Sequence, residues 1–184
     1  MFNRRAVFLD RDGTVIEAIY RPDFVKKITA PFHEHELKFL PNAYLALSRL
    51  KEAGFLRILV TNQPDVAHGY MEEEVWRKIH KKVVDTLGFD DVLMCRHTKA
   101  DNCPFKKPSP MMLLAAADKW GIDLFKSWMI GDTGQDMQTG RAARCRTLLI
   151  DRPHNSALTD DDYYFRVFSL MEAVDKILEK SKQA

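Results

Sequence analysis

The chain has 184 residues, 46% of them hydrophobic and 29% charged, with a formal net charge of +2. That length builds one well-buried domain, residues 1–184, and so small a charge gives no electrostatic case for a nucleic-acid or membrane surface. No run approaches the roughly 20 apolar residues of a bilayer span, and three cysteines, an odd number, suit a reducing cytoplasm better than a disulfide framework.

The stretch "AVFLDRDGTVI" (6–16) opens with an apolar strand, Ala6–Leu9, and ends it on two aspartates, Asp10 and Asp12. Pro41 begins a helix whose Ala43, Leu47 and Leu50 fall at helical spacing before Gly54 stops it. "FLRILV" (Phe55–Val60) reads as a buried parallel strand. From Met71, the residues Val75, Ile79, Val83 and Leu87 give one apolar helix face. Asp91–Cys95 is a third strand. Ser109 and Pro110 are an N-cap and first-turn pair for a helix ending near Gly121. Ser127–Ile130 is a fourth strand, followed by a helix over Asp136–Arg144 and a strand over Thr147–Ile150. "YYFRVF" adds an edge strand, and Ser169 with Glu172 forms a capping box for a last amphipathic helix. His80 and His154 are assigned to the surface.

Strand–helix alternation of this kind implies a parallel sheet covered on both faces, a three-layer, doubly wound α/β fold of Rossmann-like type. With 184 residues there is no room for a large cap domain. Ligands of such sheets bind outside the carboxyl ends of the strands. Asp10 and Asp12 follow the first strand, Thr61 and Asn62 the second, and Asp132 the fourth, so all belong to one rim.

Two neighbouring carboxylates repel unless a cation or a shared proton reconciles them. Mg²⁺ suits carboxylate oxygens and keeps several waters, so Asp10, Asp12 and Asp132 suffice to hold it. Asp136 would support the site from behind, although an acidic residue in a first helical turn is favourable without any ligand. A carboxylate so placed can attack phosphorus and form an aspartyl-phosphate, while a second protonates the leaving oxygen and then activates water. Thr61 and Asn62 are candidate donors to phosphate oxygens, and Lys107 a candidate counter-charge. The blander alternatives are turn or cap roles for the aspartates and Asn62, and a solvated Lys107.

The four motifs Asp-x-Asp-Gly-Thr, "VTN", "KKP" and "GDxxxD", in order and each after a strand or in a connecting loop, resemble those of the haloacid dehalogenase phosphohydrolases. Within them, "TNQPDVAHGY", "CRHTKADNCPFKKPSPMMLLAA" and "MIGDTGQDMQTG" are similar to the branch of heptose-1,7-bisphosphate 7-phosphatases and histidinol-phosphate phosphatases. The likeness runs from about Val7 to Ile150. It implies Asp10 as nucleophile, Asp12 as general acid and base, and Mg²⁺ held by Asp10, the Asp12 carbonyl and Asp132. It also implies that Thr61 and Lys107 steady the phosphoryl group and that Lys106 touches the rest of the substrate. The reading is an Mg²⁺-dependent phosphomonoesterase acting on a small phosphorylated metabolite such as a heptose (bis)phosphate or other sugar phosphate. Its alternatives are a histidinol-phosphate phosphatase or a nucleic-acid 3′-phosphatase. Neither a membrane nor a nucleic acid is the expected partner, and the chain is read as a monomer.

The branch often carries a zinc bound by a Cys-x-His pair and a Cys-x-Cys pair. Cys95, His97 and Cys103 match three positions, but Phe105 stands at the fourth, and a structural zinc site is closed by four protein ligands. The options are no metal, a weaker site completed by water, or a substitute ligand from Asp101 or from "HEHE" (His33–Glu36); a loop packed by Phe105 without zinc is preferred. The segment Ile16–Leu40 is longer than in the sugar-phosphatase relatives, and its Tyr20, Arg21, Lys26 and Lys27 are either substrate contacts or a solvated face. His68 and Thr133 stand where relatives commonly carry arginine and lysine, which weakens the case for a bisphosphate.

Overall fold

Apolar side chains on both faces of Arg5–Leu9 suit it to the middle of a sheet covered on two sides, and it is the central strand, β1. The computed structural model describes residues 2–24 and 27–182. After β1 come a short hairpin of β2 (Ile19–Tyr20) and β3 (Ile28–Thr29), then α1 (Ala43–Glu52), β4 (Phe55–Asn62), α2 (Glu73–Leu87), β5 (Asp91–Cys95) and α3 (Met111–Trp120). The chain continues through β6 (Trp128–Gly131), α4 (Gly134–Ala142), β7 (Arg146–Ile150), β8 (Phe165–Val167) and α5 (Leu170–Lys182).

Six strands form one sheet in the order β5-β4-β1-β6-β7-β8, every pair parallel. The chain winds outward from β1 in one direction and returns to start again at β6, so the topological switch point lies between these two. Val7 and Leu9 face Leu47 and Leu50 of α1, Val83 of α2 and Ile177 of α5. Ala6 and Phe8 face the other way, onto Met112 and Leu113 of α3 and Ala143 at the end of α4. The result is a three-layer α/β fold with no large cap, as the alternation of elements implies.

Helix ends depart from expectation by a residue or two. Asn42 takes a left-handed conformation (φ 60°), so α1 begins two residues after Pro41. Pro110 caps α3 instead of opening it. Helix α4 begins at Gly134, not Asp136, because Thr133 and Asp136 cap each other: Thr133 N–H donates to Asp136 Oδ2 at 3.1 Å and Asp136 N–H to Thr133 Oγ1 at 3.3 Å. At α5, Glu172 N–H donates to Ser169 Oγ (3.1 Å), but the Glu172 carboxylate receives Phe168 N–H (2.8 Å), one position earlier than in a regular capping box.

The long segment after β1 closes on itself. Glu17 N–H donates to Lys38 O (2.8 Å) and Leu40 N–H to Val15 O (3.0 Å), with Ile16 paired to Phe39. Phe32 of this segment joins Met71, Trp76 and Ile79 in a third apolar cluster, with Phe24 packed against it. Arg21 is structural: it bonds Glu36 Oε2 (2.6 Å) and Thr29 Oγ1 (3.0 Å) and lies over the Phe32 ring. Tyr20 is exposed, and Lys26 lies outside the described residues.

His80 is not a surface residue. It is half-buried on α2, stacked on Trp76 with ring centroids 5.0 Å apart. Burial, then the charges of Arg11 and Arg96, push its pKa down to about 4 from 6.5. Between those values the unfolded chain takes up a proton that the folded chain refuses, so stability falls as pH drops through that window. The urea midpoint is therefore expected to fall between pH 7 and pH 4.5 by more in the native protein than in His80→Gln; equal losses would show that His80 does not titrate across that window.

Candidate active site

Side chains from the carboxyl ends of β1, β4 and β6, with the loop before α3, meet at the switch point. Asp10 follows β1, and its N–H donates to Ile130 O of β6 at 3.0 Å, which fixes it beside the loop carrying Asp132. Gly13 makes room for this approach. Its φ is +84°, and a Cβ there would come within 2.0 Å of Asp132 Oδ2, so only glycine serves. At Gly131 a Cβ would meet Asp136 at 2.3 Å.

Lys107 holds the centre. Its Nζ donates to Asp10 Oδ1 (2.7 Å), Asp136 Oδ1 (2.5 Å) and Val60 O (3.0 Å). All three of its donors are used, and the side chain is 3% exposed. Burial alone would lower its pKa, but the charges of Asp10 and Asp136 outweigh that and hold it above the usual lysine range. Asn62 braces this lysine. Its amide donates to Lys107 O (3.1 Å) and accepts from Lys107 N–H (3.0 Å), so the group expected to meet phosphate is bonded to the lysine's main chain instead.

Oxygen atoms of Asp10, Asp132 and Asp136 lie within 4.8 Å of one another. Burial pushes the Asp136 carboxyl up to about 6, with Lys107 opposing and the charges of Asp10 and Asp132 adding. Asp132 is also raised, by burial first, with His154 opposing and Asp10 adding. Three carboxylates thus face one ammonium. Asp132 Oδ1 is buried without a hydrogen-bond partner. An orphaned carboxylate oxygen in an all-oxygen acidic cluster fits a hard divalent cation, so the residues present suit Mg²⁺.

Asp12 does not join that cluster. Its carboxylate turns to Arg11, whose Nε and Nη2 donate at 3.0–3.2 Å, and to Gln63 Nε2 at 2.7 Å. The expected repulsion between Asp10 and Asp12 is relieved separately at each, by Lys107 and by Arg11. Thr61, 1% exposed, accepts from Gln63 Nε2 (2.9 Å) behind the cavity floor. Lys106 Nζ donates to His97 O (2.7 Å).

Asp10, Lys107 and Asp132 floor a cavity of about 850 Å³, which Asp12 also lines. Its outer wall is largely apolar, with Phe24, Ile28 and Leu158 beside His68 and Tyr70. The rings interlock: Phe24 meets Tyr70 edge-on at 5.2 Å, and His68 stacks on Tyr70 at 5.3 Å. Lys27 and Lys99 also line it.

The family model for haloacid dehalogenase-like hydrolases matches residues 17–144. The chain is 32% identical over 152 residues to the D-glycero-beta-D-manno-heptose-1,7-bisphosphate 7-phosphatase of Rhodopseudomonas palustris, covering 76% of this chain and 79% of that one. With the enzyme of the same name from Helicobacter pylori it shares 32% over 162 residues, covering 83% and 88%. This chain belongs to the haloacid dehalogenase-like hydrolases. Within them it is a phosphatase, a phosphoric monoester hydrolase. Among solved structures it superposes on the D,D-heptose 1,7-bisphosphate phosphatase of B. bronchiseptica, complexed with magnesium and phosphate, with a TM-score of 0.78, at 26% identity, covering 96% of this chain and 99% of that one.

In this phosphatase, the loop before α3 brings Cys95, His97 and Cys103 together, with ligand atoms within 4.8 Å of one another and Cys95 Sγ 3.7 Å from His97 Nδ1. No fourth ligand joins them among the described residues. Asp101 spends one carboxylate oxygen on Thr98, at 2.7 Å from both its N–H and its hydroxyl. Glu36 is bound to Arg21, and Glu34 to Lys78. Phe105 is 40% exposed, so it does not seal the loop as a core ring would.

Sequence reasoning missed Gln63, Arg11 and the "DRPHN" stretch after β7. Gln63 directly follows the "TN" that was singled out, and "DRPHN" leaves the carboxyl end of a strand; the rim rule applied to β7 would have found it. Removing Lys107 as Lys107→Ala leaves Asp10 and Asp136 buried without their shared cation. We expect a loss of about 3–5 kcal/mol in divalent-free buffer, read from urea unfolding; a loss under about 1 kcal/mol would show that the pairing contributes little.

Proposed function

We propose that this phosphatase works through an aspartyl-phosphate on Asp10, with Mg²⁺ as its cofactor. The observation that carries the reading is the meeting of Asp10, Lys107 and Asp132 at the switch-point end of one cavity, with Asp12 at its edge. Asp10 and Asp132, with the main-chain carbonyl of Asp12 that the family resemblance implies, would hold Mg²⁺. When bound, the ion supplies positive charge to the phosphoryl oxygens and to the crowded carboxylates.

A carboxylate oxygen of Asp10 attacks phosphorus, and the ester P–O bond breaks. Asp12, protonated, gives its proton to the leaving alkoxide. The Asp12 carboxylate then takes a proton from water as that water attacks phosphorus, and the bond to Asp10 breaks to release phosphate. Lys107 steadies Asp10 throughout, Asn62 holds Lys107, and Arg11 with Gln63 holds Asp12 at the cavity edge.

For substrate, the names of the relatives support a small phosphorylated sugar of the heptose (bis)phosphate class. The cavity supports a substrate with one phosphate at the floor and a ring lying along Tyr70 and His68. Arg21 and Arg152 are committed within the protein, so among the described residues lining the cavity a second phosphate would fall to Lys27 and Lys99. A screen over sugar mono- and bisphosphates, histidinol phosphate and 3′-phosphorylated oligonucleotides separates the candidates, and a steep loss of turnover with salt would point to the polymer.

Asp10→Asn is expected to lower Mg²⁺-dependent hydrolysis on the order of 10³-fold or more while keeping the fold. Asp12→Asn is expected to slow it by about 10²–10⁴-fold, with phosphoenzyme visible in intact-mass spectra. Near-native turnover in Asp10→Asn would refute the nucleophile. We further assign the Cys95–His97–Cys103 loop as free of structural zinc. Metal analysis of protein purified without added zinc is expected to find well under one equivalent; a full equivalent that Cys103→Ser removes would reverse that assignment.

A further inference from the structure

We propose that His154 is a positioning residue for Asp132, and that the loop 151–158 after β7 braces both acidic stretches of the site. The inference rests on the reading of Asp132 as a metal ligand. His154 Nε2 hydrogen-bonds Asp132 O at 3.2 Å and lies 2.9 Å from Asp132 Oδ2, so the ring is set against both the carbonyl and the carboxylate. The other oxygen, Oδ1, is left buried and unpartnered. The contact holds one oxygen of a carboxylate that gathers with those of Asp10 and Asp136, and so restricts its rotamer.

The neighbours of His154 do related work. Asn155 Nδ2 donates to Asp132 O and to Ile150 O, both at 2.8 Å, tying the end of β7 to the loop after β6. Arg152 Nη2 donates to Gly13 O at 2.9 Å, reaching the loop that carries Asp12. The loop is itself held by Arg166 of β8, which bonds Asp151 Oδ1 (2.5 Å) and Leu158 O (2.9 Å). One short segment thus touches the turns after β1 and after β6. Groups that orient metal ligands from behind typically change metal affinity by 10–100-fold when removed, whereas a residue that only packs a loop changes stability alone.

The test measures Mn²⁺ binding by electron paramagnetic resonance without substrate, in the native protein, Asp132→Asn, His154→Ala and His154→Gln. Gln is chosen because its amide can place an N–H near the Nε2 position. The expected result is loss of binding in Asp132→Asn, a weakening of about 10–100-fold in His154→Ala, and recovery of most of it in His154→Gln. Half-saturation by Mg²⁺ in turnover is expected to shift in parallel, with kcat at saturating Mg²⁺ changed less than the half-saturation point. If Asp132→Asn binds Mn²⁺ as the native protein does, the metal-ligand reading falls and the inference with it. If Asp132→Asn loses binding while His154→Ala keeps it and only melts earlier, the metal reading stands and the positioning role is refuted. Failure of Gln to recover any affinity would also refute the hydrogen-bond role.

Discussion

A single buried ammonium organises the active end of this phosphatase. Lys107 cannot be enclosed without anionic partners, and Asp10 and Asp136 cannot be enclosed without a cation. Each makes the others tolerable, and the three belong to a loop, a strand end and a helix distant in sequence. Their mutual need fixes the spacing between the two halves of the sheet at the point where a ligand can enter. It also leaves Asp132, the next carboxylate along, against the His154 ring, with its Oδ1 buried and unpartnered among the described residues. That imbalance gives the site an appetite for a further positive charge.

The fold was largely legible because its signals are strong and repeated. Short β-rich runs alternate with helices whose apolar faces are clear, as in Val83 and Leu87 of α2, and the rim rule then places Asp10, Thr61 and Asp132 without knowledge of any contact. What was not legible were directions. Asp10 and Asp12 look equivalent in sequence, yet one turns to Lys107 and the other to Arg11. Asn62 is expected to meet phosphate and Lys106 the rest of the substrate, and both side chains bond main-chain groups. Such outcomes depend on which partner lies nearest in space, and spacing along the chain does not carry that. His154 shows the same limit from the other side: in sequence it is a histidine in a polar loop, and only the return of β7 beside β6 brings it to Asp132.

The aromatic wall has a similar origin. Phe24, Phe32 and Tyr70 come from two loops, and each is an unremarkable loop residue in sequence. Phe32 buries with Met71 and Trp76 in the third apolar cluster, Phe24 packs against it, and the exposed Tyr70 meets both rings and lines the cavity. The wall is therefore a by-product of anchoring the long segment after β1, and the shape of the cavity follows from how that segment is pinned.

That pinning separates two tasks within the chain. The hydrogen bonds between Glu17 and Lys38 and between Val15 and Leu40 bring the two ends of the segment side by side on the scaffold. The excursion between them therefore behaves as an appendage on a common stalk. Its length and side chains can diverge from one descendant to another while the spacing of Asp10, Lys107 and Asp132 stays as it is. New choices of leaving group are then open to natural variation without rebuilding the hydrolytic machinery.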